Sequence, residues 1–323
     1  MRRFKISIAT LCVVALVATY AMYVPDRSVD ELVHWQNSES HFVRILGTDV
    51  HYRREGDPSK PTVVLLHGTS SSLHTWDAWT DAMRGQFEVV RMDLPGFGLT
   101  GPRADADYSI DAYVAFVHAF ADALALDQFA LAGNSLGGNI AWQYAAAHAE
   151  RLSALVLLNA SGLPTADKQP SLVFRLAQWP IVNKAIPLVA PKALYRRSVE
   201  EVFADDDKIT AALIERYYEL SLRTGNRRAF VQRVRQSTLA PVSQLDRIVA
   251  PTLVQWGAQD AWIPVSHAHQ FGDAIANAQV IVYDGVGHTP MEEAPIRTVN
   301  DAITFIQSHS RDSALQTAIK DSQ

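Results

Sequence analysis

Apolar positions along the chain fall into short continuous runs separated by longer amphipathic stretches. Residues 62–66, Thr-Val-Val-Leu-Leu, run without interruption, as in a strand covered on both faces of a parallel sheet. The same pattern recurs at 87–92, 129–132, 154–158, 252–256 and 279–283. Helix-period stretches lie between several of these, at 110–125, 139–148 and 266–276. Alternation of this kind predicts an α/β sheet with helices on both faces. Ahead of it, residues 42–46 and 50–53 alternate and flank Gly47-Thr48-Asp49, which predicts a hairpin. Between Leu163 and Pro251 the pattern changes. Residues 172–174, 179–182, 187–189 and 209–222 read as helical or proline-broken, so 165–245 is predicted to be a helical cap inserted into the sheet order. The core then comprises 42–164 and 246–310, ending in a helix from 296 and a polar tail at 311–323.

The first residues follow a different rule. Met1-Arg2-Arg3-Phe4-Lys5 is basic, and residues 6–24 are apolar and uncharged. As a helix this run would span roughly 28 Å, close to the ~30 Å hydrocarbon core of a bilayer. Tyr20 and Tyr23 stand where an aromatic belt would sit, and Pro25-Asp26-Arg27 ends the run. Residues 1–27 therefore read as a transmembrane anchor with its N-terminus in the cytoplasm and the domain across the membrane. Two other readings stay open: a secretory signal cleaved after Thr19-Tyr20-Ala21, a poor A-x-A match, and a buried soluble helix. Residues 28–41 form a link. In it Ser28-Val29-Asp30-Glu31 matches a capping box, for a helix near the headgroups or on the domain surface. Ala15 and Thr19, four apart, point weakly to a homodimer contact within the membrane.

Composition narrows the partners. A net charge of −5 without a basic stripe argues against nucleic acid. Cys12 is the single cysteine, so no intramolecular disulfide and no thiol metal site can form.

The candidate chemistry centres on Gly133-Asn134-Ser135-Leu136-Gly137, followed by Gly138. This G-x-S-x-G sits between the apolar run 129–132 and a helix-like run, which is how a serine nucleophile is presented on a sharp strand-to-helix turn. A serine hydroxyl needs a base, and the base needs an orienting acid. His288, in Gly287-His288-Thr289-Pro290 after the last strand, is the candidate base. Asp260, in Gly257-Ala258-Gln259-Asp260 after an earlier strand, is the candidate acid. Asp284 is the rival acid, and His267 and His269 are rival bases that read as solvated helix positions. The oxyanion hole would take the N–H groups of Leu136 and of Thr69, in the loop His67-Gly68-Thr69-Ser70-Ser71-Ser72. His67, ending a buried strand, reads as a structural hydrogen-bonder.

On these residues the chain resembles the α/β-hydrolase superfamily over about residues 42–310. The matching signatures are HGTSSS at His67, DLPGFG at Asp93, GNSLGG at Gly133, GAQD at Gly257 and GH at Gly287. The resemblance implies a mostly parallel eight-stranded sheet with helices on both faces and a helical cap. It also implies Ser135 as nucleophile, Asp260 as acid and His288 as base, with no metal or organic cofactor. DLPGFG is a structural loop in that family. The serine excludes relatives with a carboxylate nucleophile, so an acyl-enzyme is implied. More narrowly, the apolar N-terminus with HGTSSSLHTW and DLPGFGLTGP is similar to bacterial inner-membrane-anchored esterases, including a phospholipase A1, with the catalytic domain in the periplasm.

The expected substrate is a lipid-like ester, cleaved by a lysophospholipase, phospholipase A or carboxylesterase activity beside the bilayer. His74 and Trp76 either touch it or pack at a helix start. Leu172, Phe174 and Trp179, with Ile181 and Val182, either line an acyl groove or pack the cap on the core. The alternatives are a small-molecule lactonase, C–C hydrolase or perhydrolase with the same triad, and a membrane-tethered binding protein that kept the fold.

Overall fold

The computed structural model describes residue 20, residues 22–164 and residues 171–320. It opens with a hairpin. Strand β1 (Ser40–Ile45) pairs antiparallel with β2 (Thr48–Glu55). The turn is Leu46-Gly47, with φ of 45° and 80°; positive φ at both positions suits a tight two-residue hairpin. The expected turn through Thr48 and Asp49 is thus corrected: these residues already pair with Ile45 and Arg44.

The continuous apolar runs become β3 (Thr62–Leu66), β4 (Glu88–Met92), β5 (Phe129–Asn134), β6 (Leu152–Leu158), β7 (Thr252–Gly257) and β8 (Ala278–Tyr283). They complete an eight-stranded sheet in the order β1-β2-β4-β3-β5-β6-β7-β8, parallel from β4 to β8. Alternate side chains divide between two cores. Val64, Leu66, Leu131, Leu155 and Leu157 face one side with helices α2 (Ile110–Ala123) and α3 (Leu136–Ala147), whereas Val63, Leu65, Ala130, Ala132 and Val156 face the other, where α1 (Asp77–Met83) places Trp79 and where Val299 packs. Strands covered on both faces are therefore apolar at most positions, with buried Glu88 and Arg91 in β4 and Gln255 in β7 as exceptions. All parallel strands end at one edge, and the sheet order reverses around β3. Ligands bind at such a switch point in open α/β sheets.

Among the described residues, 171–245 hold no named strand. They form helices α4 (Leu172–Gln178), α5 (Val182–Ala185), α6 (Lys192–Glu200), α7 (Ala211–Ser221) and α8 (Asn226–Arg235). The final helix, Pro295–Lys320, runs through most of the segment expected as a polar tail.

The predicted membrane-spanning run lies largely outside the described residues, as do Cys12, Ala15 and Thr19. Among the described residues, no helix is long and apolar enough to cross a membrane. The link after the run is docked on the domain. Ser28 and Glu31 exchange the reciprocal hydrogen bonds of a capping box, opening a short 3₁₀ helix, Asp30–Trp35. Its Leu32 is buried with Leu99 and Leu220. Arg27 pairs with Glu219 of α7, and Trp35 Nε1 donates to the same carboxylate at 3.0 Å. The link is thus fastened to the cap.

Candidate active site

Ser135 joins β5 to α3 with φ 52° and ψ −111°, a strained backbone for a residue with a Cβ. The surroundings hold it there. Ser135 N–H donates to Leu158 O at 3.1 Å, and Ser135 O accepts from Asn139 N at 2.9 Å and Ser161 N at 3.1 Å. Only glycine fits on either side: a Cβ on Gly133 would lie 2.2 Å from Gly137 O, and one on Gly137 would lie 2.1 Å from Leu66 O. The close approach of β3, β5 and α3 explains the motif's glycines.

Asp260 follows β7 and His288 follows β8, so adjacent strands deliver both to the same sheet edge. His288 Nδ1–H donates to Asp260 Oδ2 at 2.7 Å, leaving Nε2 in its neutral form as the acceptor nitrogen. Nε2 is buried and has no hydrogen-bond partner among the described residues. His288 and Ser135 both line one cavity. Asp260 accepts further bonds from Asn159 Nδ2 (2.7 Å), Trp262 N (2.7 Å) and Ile263 N (2.9 Å). Burial alone would raise its carboxyl; the charge and hydrogen bond of His288, with these donors, outweigh that and hold it below the usual carboxylate value.

Three polar residues that the sequence pattern did not single out hold this arrangement. Asn134 Nδ2 donates to Leu158 O and to His288 O, tying the elbow to the histidine loop. Asn159, after β6, has a positive φ of 44° and bridges Gly257 N to Asp260. Glu293 is buried; it accepts from Gly287 N at 2.5 Å and from Ala204 N and Asp205 N of the cap at 2.9 and 2.8 Å. The cap reaches the histidine directly as well, since His288 N–H donates to Val202 O at 2.7 Å.

Thr69 lies in the same cavity wall, in the loop after β3, and Leu136 begins α3. Among the described residues, neither backbone N–H donates to a protein acceptor. Such orphan donors beside a serine at a helix N-terminus are what an oxyanion needs. His67 is buried and fully used: Nε2 accepts from Leu94 N at 2.9 Å and Nδ1–H donates to Gly68 O at 2.7 Å. Burial lowers its pKa and keeps it neutral.

The cavity measures about 160 Å³. Phe174 lines it, with Val173, Leu176, Ile186 and Phe230. Other expected substrate contacts fall elsewhere. His74 is buried beside Trp35 O, 2.8 Å from its Nε2, and burial lowers its pKa to about 4. Trp76 is in the core against Trp79. Leu172 and Trp179 are exposed and outside the cavity wall. Asp284 is exposed, whereas Asp260 is the carboxylate on His288. His267, expected on a solvated helix face, is instead buried near Trp256.

DLPGFG acts as a brace. Asp93 is fully buried; Oδ1 accepts from Leu73 N at 2.7 Å, and Oδ2 from Leu99 N at 2.8 Å and His51 Nδ1 at 2.7 Å. Burial alone would raise this carboxyl, but the hydrogen bond and charge of His51 hold it far below the usual carboxylate range. Its contribution to stability is therefore complete above the unfolded value near pH ~4 and is lost as pH falls toward the folded value. Asp93→Ala is expected to cost about 3–5 kcal/mol. Thermal melts from pH 7 to 2 should show wild type losing its advantage over the variant below pH ~4; a constant difference would contradict the assignment.

The family model for the alpha/beta hydrolase fold matches residues 61–295, and the chain belongs to that family. It is an ester hydrolase of that family, similar to a monoacylglycerol lipase and a phospholipase A. Monoacylglycerol lipase ABHD6 of Bos taurus is 28% identical, with 94% of each chain covered. The human ABHD6 lipase is also 28% identical, over 81% of this chain and 80% of the relative. A crystal structure described as a membrane phospholipase A and a bacterial virulence factor superposes with a TM-score of 0.73 at 26% identity, covering 94% of this chain and 98% of that one.

Proposed function

We propose that the chain cleaves carboxylic esters of lipid-like substrates by serine acyl transfer. The observation that carries this is His288, which lines the cavity with Ser135: its Nδ1 is held by Asp260 while its Nε2 has no partner among the described residues. Ser135 Oγ attacks the ester carbonyl and its proton passes to His288 Nε2. Thr69 and Leu136 N–H groups stabilise the oxyanion, each worth ~3 kcal/mol in the transition state. Collapse expels the alcohol, which takes the proton from His288. Water, deprotonated by the same nitrogen, then releases the fatty acid and restores Ser135.

The apolar walls of the cavity suit an acyl chain, and the relatives' names, a monoacylglycerol lipase and a membrane phospholipase A, favour lipid esters. A membrane site is supported by the apolar run 6–24 and by the residues at its end: Tyr20, Met22 and Tyr23 are exposed, and Tyr23 bridges to Val189 of the cap, beside exposed Leu188. The reading places the run in the bacterial inner membrane with the catalytic domain on the periplasmic side. Liposomes and lysophospholipid micelles offered to the full chain should release fatty acid. Cleavage of short p-nitrophenyl esters alone would sink the lipid assignment and favour a small-molecule hydrolase.

A further inference from the structure

Among the described residues lining the Ser135 cavity, Arg227 is the one arginine or lysine. It lies in the first turn of α8, with its side chain 4% exposed. Nη2 donates to Val24 O and to Asp26 Oδ1, both at 2.6 Å. Nε and Nη1 are buried and have no partner among the described residues. Unpaired N–H groups on a buried guanidinium are unfavourable. An acyl chain offers them no acceptor, whereas an anionic oxygen does, and guanidinium suits phosphate in particular.

Position adds a second reason. Arg227 also borders a groove whose wall includes Tyr23, Asp26, Leu188 and Arg228. It thus stands between the acyl cavity and the surface on which the apolar N-terminal run ends. Asp26, its counter-charge, is partly open to solvent.

We propose that Arg227 is a specificity residue that favours esters bearing a phosphate group, lysophospholipids among them, over neutral glycerol esters. The inference rests on the ester-hydrolase reading above. In the bound state, Nε–H and Nη1–H donate to phosphate oxygens while the ester carbonyl lies at Ser135.

The test compares kcat/KM for 1-lauroyl-glycerol-3-phosphate and 1-lauroylglycerol, using the full chain in detergent. Arg227→Gln is expected to lower the phosphate-to-neutral ratio about ten- to a hundredfold. Asp26→Asn keeps the guanidinium and removes its counter-charge, so it is expected to raise the same ratio. A purely structural role would lower both rates together in both variants and leave the ratio unmoved, which would overturn the proposal. Decyl phosphate and decanoate, as inhibitors, separate phosphate from a product carboxylate. Weakened inhibition by decyl phosphate in Arg227→Gln supports the assignment, and weakening confined to decanoate overturns it. Wild type cleaving neither ester, nor p-nitrophenyl esters, would instead remove the hydrolase reading itself.

Discussion

Replacing Ser135 with alanine is expected to lower kcat for ester hydrolysis by ~10⁶-fold while leaving the fold intact. Among the described residues the side chain it removes makes no hydrogen bond: those at this position come from Ser135 N and O. Relief of the strained φ is not expected either, because alanine keeps a Cβ at φ 52°. The measurement is paired: p-nitrophenyl butyrate turnover, and covalent labelling by a fluorophosphonate followed by mass spectrometry of the modified peptide. Wild type should carry the label on Ser135 and the variant should carry none. A variant that still labels would mean another serine is the nucleophile.

Asp260→Asn should lower kcat by ~10⁴-fold and also lower the melting temperature, because the new N–H₂ faces Asn159 Nδ2, the donor to Asp260 Oδ2. An asparagine can present its N–H₂ to His288 Nδ1, which turns the imidazole to the tautomer with its proton on Nε2. That nitrogen could no longer accept from Ser135. The amide oxygen can still take the N–H groups of Trp262 and Ile263, which is why the turn should survive. Two-dimensional NMR of the histidine side chains would report the tautomer directly, and a variant within tenfold of wild-type kcat would remove Asp260 from the proposed mechanism.

The sheet was readable in the sequence because parallel strands covered on both faces cannot alternate, so their apolar runs stand out even at five or six residues. The elbow was readable because Gly133 and Gly137 have no room for a Cβ, a constraint that shows as a local spelling. Ser135, Asp260 and His288 could be expected together because each follows a strand end at the same edge. What could not be read acts at long separation in sequence. Asn159 meets Asp260 across 101 positions, and Asn134 meets His288 across 154. Neither spacing carries a period. Asn134 did lie inside the motif, and the Asn after the apolar run 154–158 was a signal for a special turn. His74, Trp76, Leu172 and Trp179 failed as cavity residues for another reason. Helical pattern tells which residues are apolar but not which of several neighbouring surfaces each one meets. His267 shows the same limit in reverse, a polar residue turned inward against Trp256.

The bonds from the cap to the histidine loop have a mechanical consequence. Val202 O holds His288 N–H, and the Glu293 carboxylate clasps Gly287 with one oxygen and the cap's Ala204 and Asp205 with the other. Any motion that lifts this segment of the cap must break the bond to His288 N–H in the same movement. Cap and histidine loop are thereby fastened as one mechanical unit, an interlock.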